Sequence, residues 1–391
     1  MYELGANSSV IREIFEYGKK RAAQIGKENV FDFSLGNPSV PAPAVVNETI
    51  KELLSDVPST ELHGYTSAVG DADVRKSIAD YLNKSYGTAF NADNFYMTCG
   101  AAASLTITFK ALCEAGDEVI LFAPFFPEYK VFAETAGMTS VIVPCSSDTL
   151  QVDVDAFEKA ITAKTKAVVV NSPNNPSGVV LSEETINKMC DILREKQREY
   201  GKSIFLISDE PYRELVYGDV TVPYLTKYYD NTIVCYSFSK SLSLPGERVG
   251  YILVPDEVQD SKMIYKAVCG AGRALGYVCA PSLFQMIIPK CIGQTADLSV
   301  YKSNRDTLVN TFEKLGFSVV KPDGAFYLFL KSPENDAQVF CEKAKKYEVL
   351  LVPSDSFGFP GYVRISYCVS PDMINRSLPA FERLAAEYKL K

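Results

Sequence analysis

A lysine in a serine-rich segment is the feature of this sequence best suited to chemistry. The segment runs Ser237-Phe-Ser-Lys240-Ser-Leu-Ser-Leu-Pro-Gly-Glu-Arg248-Val-Gly250 and follows a short apolar run, Thr232-Ile-Val-Cys-Tyr236, that is typical of a buried strand. The serine hydroxyls and the fixed charge of Arg248 are suited to bind a phosphate or another oxyanion. An amine beside cationic or desolvating neighbours has a lowered pKa and can attack a carbonyl to form a Schiff base. Lys240 is therefore a candidate nucleophile; the alternative is a solvated loop lysine beside a Ser-rich turn.

Polar residues follow two other apolar runs in the same way. One run leads into Asn171-Ser-Pro-Asn-Asn175-Pro176-Ser-Gly178 and another into Ser208-Asp209-Glu-Pro-Tyr212. Continuously apolar strands are covered on both faces, and helical stretches such as 183–200 alternate with them, so we predict an α/β fold with a largely parallel central sheet sandwiched by helices. Ligands of such sheets bind at the carboxyl ends of the strands. We therefore expect Asn175, Asp209, Tyr212 and Lys240 to share one site.

Three further segments have the composition of a ligand site. Small residues in Thr98-Cys-Gly100-Ala101-Ala102-Ala-Ser104 precede a helical pattern that we expect to end at Gly116, and a helix N-terminus offers free N–H groups to a phosphate. The aromatic pair Phe125-Phe126 follows a predicted strand and is either core or a stacking platform for a flat ring. Gly36-Asn37-Pro38, after the predicted strand 31–35, forms either a ligand-facing turn or a plain connector.

Composition limits the classes of protein that fit. The chain has 391 residues with 47% hydrophobic and 23% charged, so it is long enough for two or three domains with a large core. A net charge of −8 argues against a nucleic-acid or acidic-membrane surface. Ten cysteines without paired spacing and one histidine, His63, predict reduced thiols, no metal centre and no Ser-His-Asp hydrolase. Without an N-terminal apolar leader or an apolar run of membrane-spanning length, we expect a cytoplasmic protein.

The candidate residues together describe a site for pyridoxal 5′-phosphate. This cofactor needs a lysine near its aldehyde, a carboxylate near its ring nitrogen, an aromatic against its ring and donors for its phosphate. Asp209 would keep the ring nitrogen protonated, and the ring would then withdraw electrons from the substrate. Asn175 and Tyr212 can hydrogen-bond the phenolic oxygen of the ring, while the serines and Arg248 hold the phosphate.

The same residues carry a family resemblance. Asn174-Asn175-Pro176-Ser177-Gly178, Asp209-Glu210-Pro211-Tyr212 and Ser237-x-Ser239-Lys240 with Arg248-Val-Gly250 closely resemble the class I/II aminotransferases of pyridoxal-phosphate fold type I, in particular those like aspartate aminotransferase. The likeness runs from Gly36-Asn-Pro to Arg364-Ile-Ser, with the motifs in the family's order and approximate spacing. It implies a transaminase with a ping-pong cycle, which moves an amino group from an L-amino acid, with aspartate and glutamate as candidates, to a 2-oxo acid.

The resemblance also implies a role for each matching position. Lys240 would form the Schiff base and shuttle the proton, and Asp209 and Tyr212 would complete the catalytic set. The implied cofactor-binding residues are Tyr65, Gly100, Ala101, Ala102, Phe126, Asn175, Asp209, Tyr212, Ser237, Ser239, Lys240 and Arg248. The implied substrate-binding residues are Gly36, Asn175, Arg273 and Arg364.

Two of these positions bear on assembly and specificity. In the family, the tyrosine that matches Tyr65 reaches the phosphate of the neighbouring subunit, which implies a homodimer with shared active sites. The arginine that matches Arg364 binds the substrate α-carboxylate, in keeping with the bidentate fit of guanidinium to carboxylate. Arg273 lies about where dicarboxylate-specific relatives carry a second arginine, and the alternative is that it caps its loop.

The expected domain organisation also follows the family. Residues 1–45 form an N-terminal segment that joins a smaller α+β domain, 46–282 the large cofactor-binding domain, and 283–391 the rest of the small domain. Alternatives within cofactor chemistry are a β-C–S lyase and an aminotransferase that prefers alanine or aromatic amino acids. A cofactor-sensing regulator is the non-enzymatic alternative; because the motifs begin near residue 36, we expect no preceding DNA-binding domain.

Overall fold

The computed structural model describes residues 2–6 and 9–390 and has α/β architecture. Its α-helices are α1 Tyr2–Ala6, α2 Val10–Ile25, α3 Ala44–Asp56, α4 Ser59–Leu62, α5 Ala72–Tyr86, α6 Ala101–Leu112, α7 Glu128–Thr135, α8 Val154–Ala160, α9 Glu183–Tyr200, α10 Phe238–Ser241, α11 Ser261–Ala274, α12 Ser282–Met286, α13 Ile288–Cys291, α14 Leu298–Lys314, α15 Ala337–Lys345 and α16 Pro371–Ala386. Its strands are β1 Phe31–Asp32, β2 Phe95–Thr98, β3 Glu118–Ala123, β4 Thr139–Pro144, β5 Thr165–Asn171, β6 Phe205–Asp209, β7 Thr232–Ser237, β8 Gly250–Leu253, β9 Val319–Val320, β10 Tyr327–Lys331, β11 Val349–Leu350, β12 Val352–Pro353 and β13 Tyr362–Ser366. No helix in this described part of the chain has the length and apolar content needed to cross a lipid bilayer.

The central sheet has seven strands in the order β2-β8-β7-β6-β5-β3-β4. The pairs among β3, β4, β5, β6 and β7 are parallel, and β8 runs antiparallel to both of its neighbours. Strands β5, β6 and β7 are buried along almost their whole length, because helices cover both faces of the sheet. The predicted largely parallel sheet is confirmed.

Strand register aligns the polar residues at one edge of this sheet. Asn171, the last residue of β5, is directly opposite Asp209, the last residue of β6, and Asp209 is opposite Cys235 in β7. Two residues later β7 ends at Ser237, and Lys240 lies in the single turn of helix that follows. Short connections at the carboxyl ends therefore present Asn171, Asp209 and Lys240 on the same side.

Several predicted elements differ from the structure at their ends. The predicted helix reaching Gly116 ends at Leu112, and the chain then turns at Gly116, where φ is 93°, before β3 begins. The predicted strand 31–35 is only Phe31–Asp32. Its early end has a local cause, because the Asp32 carboxylate accepts a 2.9 Å bond from the Ser34 amide and bends the backbone. Helix α2 has the bounds that the apolar spacing predicts, Val10–Ile25.

A second region is built around an antiparallel sheet of order β12-β13-β10-β9, with helices α14, α15 and α16 packed nearby. The N-terminal segment contributes to it, because β1 pairs in parallel with β11, Phe31 opposite Val349. Phe33 is fully buried and its ring lies 5.7 Å from that of Phe381 in α16. These contacts agree with an N-terminal segment that joins the C-terminal region, while the domain boundaries at 45 and 282 stay a prediction.

Candidate active site

A cleft of about 910 Å³, partly open to solvent, lies at the carboxyl edge of the central sheet, facing the second sheet. Most of the predicted site residues line it: Gly36, Ala101, Ala102, Phe126, Asn175, Asp209, Tyr212, Ser237, Ser239, Lys240, Arg248 and Arg364. They come from seven separate stretches of the chain, so the fold rather than local sequence brings them together. This agrees with the geometric expectation drawn from the strand ends.

Lys240 presents its amine to the interior of the cleft. Its Nζ donates a 2.8 Å hydrogen bond to the backbone carbonyl of Gly36 and lies 5.4 Å from the centre of the Phe326 ring. The pKa of Lys240 is lowered to about 8, chiefly by burial; Cys368 opposes this decrease, and the positive charges of Arg248 and Arg364 contribute to it. An amine with this pKa is partly neutral near neutral pH and can act as a nucleophile or a base.

Asp209 is a buried carboxylate with one oxygen satisfied. Its Oδ2 accepts a hydrogen bond from the hydroxyl of Tyr129, and its Oδ1 is buried with no partner among the described residues. Burial raises the pKa of Asp209 to about 7; the Tyr129 hydrogen bond opposes that rise and Glu210 adds to it. An unpaired buried carboxylate oxygen is costly, so Oδ1 is suited to a protonated partner supplied from the cleft.

An anion cradle lies where α6, α10 and Arg248 meet. The Ser237 and Ser239 hydroxyls are 2.6 Å apart, and Arg248 Nη1 donates to Ser239 Oγ at 3.4 Å. Gly100, at the N-terminus of α6, has φ of 89°, and a Cβ there would lie 2.9 Å from Arg248 Nη2. Glycine is therefore required both by its backbone conformation and by the approach of the guanidinium. The N-terminal N–H groups of α6, two hydroxyls and one guanidinium together suit a phosphate.

Arg364 is held rigidly at the opposite side of the cleft. Its Nη1 donates to Asn175 Oδ1 at 3.1 Å and its Nη2 to the carbonyl of Ser34. The guanidinium carbon lies 4.7 Å from the ring centre of Tyr327 and 5.2 Å from that of Phe357. Its Nε has no partner among the described residues, and burial lowers the pKa of Arg364. A buried, preoriented guanidinium with a free N–H is suited to a carboxylate ligand.

Tyr212 and Tyr327 form a hydroxyl pair between the two sheets. Their Oη atoms are 3.0 Å apart, and burial raises the pKa of Tyr212 well above its ordinary value, with Tyr327 as a further cause. Gly36 packs directly beneath Tyr327, because a Cβ at position 36 would collide with the Tyr327 hydroxyl and lie 2.7 Å from Cζ. Gly36-Asn-Pro is therefore a turn that faces the cleft rather than a plain connector.

Phe126 lines the same cleft, with its ring centre 5.6 Å from that of Tyr129 in an edge-to-face arrangement. Phe125, its neighbour, is buried in the core. Of the two roles that the sequence left open, Phe125 therefore has the core role, and Phe126 has the position expected for a stacking platform. Phe126 is available to a flat ligand in the cleft.

Gly100 contacts Arg248 in the anion cradle without lining the cleft itself, and two further predicted site residues lie outside the cleft. Tyr65 is 93% exposed, and Arg273 is exposed on α11. Neither is among the residues that line the cleft of its own chain. The structure of the single chain therefore does not bring either side chain to the predicted site.

The structure adds three residues that sequence reasoning did not assign to the site. Tyr129 bonds Asp209, Tyr327 pairs with Tyr212, and Asn171 bridges two segments by donating to the Asp209 carbonyl at 2.9 Å and accepting from the Asn175 amide at 2.7 Å. Asn171 begins a recognised motif and could have been included. The sequence around Tyr129 is typical of an ordinary helix, and the sequence around Tyr327 is typical of an ordinary strand.

The residues present fit pyridoxal 5′-phosphate. The fit rests on the unpaired Asp209 Oδ1, the amine of Lys240 and the anion cradle, all open to one cleft. These are the three groups that the ring nitrogen, the aldehyde and the phosphate of this cofactor require.

Comparisons with known proteins extend over nearly the whole chain. The family model described as aminotransferase class I and II matches residues 28–381. The chain is 30% identical to the aspartate aminotransferase of Thermotoga maritima over 379 residues, covering 95% of this chain and 96% of that protein. It is also 30% identical to the probable N-acetyl-LL-diaminopimelate aminotransferase of Bacillus subtilis over 366 residues, 91% of this chain and 89% of that protein. A crystal structure of an aminotransferase from Eubacterium rectale superposes with a TM-score of 0.98 at 61% identity, covering 100% of this chain and 98% of that chain.

Proposed function

Because the chain belongs to the class I and II aminotransferases and is a transaminase that uses pyridoxal 5′-phosphate, we propose that the residues of this cleft transfer an amino group from an L-amino acid to a 2-oxo acid, with aspartate and glutamate as candidate donors. The observation that carries the proposal is the pairing, within one cleft, of an amine of lowered pKa with a buried carboxylate whose Oδ1 lacks a partner.

Several lining residues of the cleft would hold the cofactor. Asp209 Oδ1 would accept from the protonated ring nitrogen, and the Tyr212 hydroxyl and the Asn175 amide would bond the phenolic oxygen. Phe126 would pack against the ring. The cradle of Gly100, Ala101, Ala102, Ser237, Ser239 and Arg248 holds the phosphate.

When bound, pyridoxal phosphate supplies an aldehyde that condenses with amines and a ring that withdraws electrons from the bonds of the substrate α-carbon. The protein supplies the proton transfer. Lys240 Nζ, the amine inside the cleft, would accept the proton that leaves the substrate α-carbon and would hold it for return. Its lowered pKa, about 8, supports this role, because a general base works best with a pKa near the operating pH.

Arg364 binds the α-carboxylate of the substrate. Its two Nη atoms are already anchored to Asn175 and Ser34, and its Nε is unpaired among the described residues, so the guanidinium needs little reorganisation to receive the ligand. The aromatic rings of Tyr327 and Phe357 exclude water around it. Exclusion of water strengthens the attraction between the guanidinium and the carboxylate.

The enzyme acts as a homodimer in which Tyr65 of each chain reaches the phosphate cradle of the other. Support comes from the exposure of apolar and aromatic surface outside the cleft: Tyr65 is 93% exposed, Val278 64% and Met263 67%. A second copy of the chain that covered these side chains would remove their apolar surface from water. Arg273 is exposed near the C-terminal end of α11, and in such a dimer its guanidinium would act in the partner's cleft.

A half-reaction screen tests the function. Purified protein loaded with cofactor is mixed with single amino acids, and conversion of the cofactor from its aldehyde to its amine form is followed by absorbance. We expect conversion with at least one L-amino acid and its reversal by a 2-oxo acid. Release of pyruvate from a β-substituted amino acid without any 2-oxo acid would support the β-C–S lyase instead.

The Lys240→Ala variant is the matched control for the screen. We expect it to lose both the visible absorbance of the lysine-bound cofactor and the transamination. A variant that retains both would remove Lys240 from the mechanism.

A further inference from the structure

A buried cluster of charged and hydroxyl side chains lies beside the cleft, and none of its members is among the residues that line the cleft. We define the Arg213 cluster as Ser208, Glu210, Arg213, Glu214, Tyr236 and Ser241. Side chains alternate along a strand, so Ser208 points away from the face on which Asp209 meets Tyr129, and Glu210, the residue after β6, lies on the Ser208 side because it accepts a hydrogen bond from Ser208 Oγ. The cluster therefore supports the site from behind.

Arg213 is the centre of this cluster. Its Nη1 donates to Glu210 Oε2 at 2.6 Å, and its Nε and Nη2 donate to Glu214 Oε1 at 3.2 and 3.1 Å. The ring of Tyr236 stacks 4.5 Å from the guanidinium carbon. Arg213 is only 5% exposed, so two carboxylates share one buried cation.

Hydrogen bonds continue from Arg213 in two directions. On one side Ser208 Oγ donates to Glu210 Oε1 at 2.7 Å, so the cluster holds both chain neighbours of Asp209. On the other side Tyr236 Oη bonds Glu214 Oε2 at 3.0 Å and lies 3.0 Å from Ser241 Oγ, next in the chain to Lys240. One connected set of bonds thus joins the turn of Asp209 and Tyr212 to the turn of Lys240.

The chemistry of the cluster indicates positioning rather than stability alone. Burying two carboxylates with one guanidinium is costly, and well-packed apolar residues often stabilise a core equally well. Burial raises the pKa of Glu210, and Arg213 opposes that rise. Removal of the guanidinium would therefore leave unpaired carboxylates directly behind Asp209.

We propose that Arg213 is a positioning residue that fixes the turn of Asp209 relative to the turn of Lys240, acting through Glu210 on one side and through Glu214, Tyr236 and Ser241 on the other. The proposal rests on the proposed function, since both turns are assigned to the cofactor. A lysine at position 213 would keep the charge but lose the planar fork that holds two carboxylates at once.

Two variants test the proposal. Arg213→Lys breaks the fork, and Tyr236→Phe removes only the hydroxyl that links Glu214 to Ser241 while the ring stays over Arg213. The matched controls are Arg305→Lys and Tyr217→Phe, because Arg305 is also buried, binds Asp306 and lies 4.6 Å from the Tyr217 ring, away from the cleft. For each protein the dissociation constant of pyridoxal phosphate is measured on the cofactor-free form, together with the absorption spectrum of the bound cofactor and the melting temperature.

We expect Arg213→Lys to weaken cofactor binding about tenfold, a factor within the range expected when a buried carboxylate loses a hydrogen-bond donor. Tyr236→Phe should move binding in the same direction by a smaller factor, and both should alter the pH at which the bound cofactor changes its absorption. The controls should lower the melting temperature and leave cofactor affinity and spectrum unchanged.

Either of two results would overturn the positioning role. If both variants change only the melting temperature, as the controls do, Arg213 is a structural residue. If Arg213→Lys does not fold, an unchanged affinity and spectrum in Tyr236→Phe decides against the proposal. A wild-type protein that forms no absorbing complex with the cofactor contradicts the proposed function itself, which separates the two failures.

Discussion

Tyr129 donates a hydrogen bond to one oxygen of the Asp209 carboxylate and leaves the other oxygen unpaired among the described residues. The two residues lie 80 positions apart, on α7 and at the end of β6. The bond fixes the plane of the carboxylate, so that its second oxygen has a defined direction. It also favours the charged form that a protonated ring nitrogen requires.

Replacement of Tyr129 by phenylalanine should weaken cofactor binding. The ring packing is kept, but the buried carboxylate loses its donor, and the loss of such a bond typically costs about 1 to 3 kcal/mol. The measurement is the dissociation constant of pyridoxal phosphate from the cofactor-free protein. Tyr229→Phe is the control, since Tyr229 is also buried and donates to the Ile204 carbonyl at 2.7 Å. Equal affinities in wild type and Tyr129→Phe would contradict the role.

Asp209 should make the stability of the cofactor-free protein depend on pH. Its native pKa, raised to about 7, lies above the ordinary value of 3.8, so between these values the native state binds more protons than the unfolded state. Its contribution to stability is therefore complete below about pH 4 and is lost as the pH rises towards 7. Asp209→Asn should lack this part of the decline.

The check is denaturant unfolding of both cofactor-free proteins at several pH values from 4.5 to 7.5. The unfolding free energy of Asp209→Asn minus that of the wild type should increase by about a few kcal/mol as the pH rises through this range. A difference that stays constant across this range would mean that Asp209 is ionised throughout in the native protein.

Gly36 and Tyr327 should show coupled effects on stability. A methyl group at position 36 collides with the Tyr327 hydroxyl, so Gly36→Ala should cost about 1 to 3 kcal/mol of unfolding free energy. Tyr327→Phe alone loses the bond to Tyr212, about 0.5 to 1.5 kcal/mol. Because removal of the hydroxyl relieves part of the collision, the double variant should lose less than the sum of the single losses. Strict additivity in a double-mutant cycle would rule out this steric contact.

Arg273→Ala should separate dicarboxylic donors from other donors. If the partner's Arg273 binds a side-chain carboxylate, kcat/KM for aspartate and glutamate should fall about tenfold or more, while alanine and aromatic donors change little. Lys266→Ala, an exposed cation on the same helix, is the matched control. An equal loss for every donor would leave Arg273 with a structural role.

Mixed dimers should recover activity that neither parent has. Lys240→Ala lacks the amine, and Tyr65→Ala lacks the side chain proposed to reach the other subunit. Random reassociation gives one intact site in half of the dimers, so the mixture should regain about a quarter of the wild-type activity above the residual activity of the parents. Recovery is measured after mild denaturation and refolding of the two together. No recovery, with dimers present by light scattering, would contradict the sharing of Tyr65.

Local pattern was enough to predict the central sheet and much of the cleft. The runs that became β5, β6 and β7 are apolar on both faces, and the parallel order of strands then places their polar ends side by side. Segment 237–250 could be assigned because its hydroxyls, lysine and arginine occur within a few residues of one another. The same holds for the start of α6, where Gly100 and two alanines are consecutive.

Contacts between distant parts of the chain were not predictable in this way. The bond from Tyr327 to Tyr212 spans 115 residues, and that from Arg364 to Ser34 spans 330. Nothing in the surrounding sequence distinguishes Tyr327 from an ordinary strand tyrosine. Likewise, the short β1 reflects the Asp32 side chain bonding the Ser34 amide, which overrides the alternating pattern. Tyr65 and Arg273 do not line the cleft of their own chain, and the sequence suggested their roles only by resemblance.

The parallel pairing of Phe31–Asp32 with Val349–Leu350 has a consequence for biosynthesis. The ribosome releases the N-terminal strand long before its partner strand is made. Residues 31–36 therefore lack this partner until almost the whole polypeptide has emerged. Two residues of this segment contact the cleft. The Gly36 carbonyl accepts a hydrogen bond from Lys240, and the Ser34 carbonyl accepts one from Arg364. The cleft is therefore completed only near the end of translation, and a chain truncated before residue 349 would contain Lys240 but lack the strand that pairs with β1.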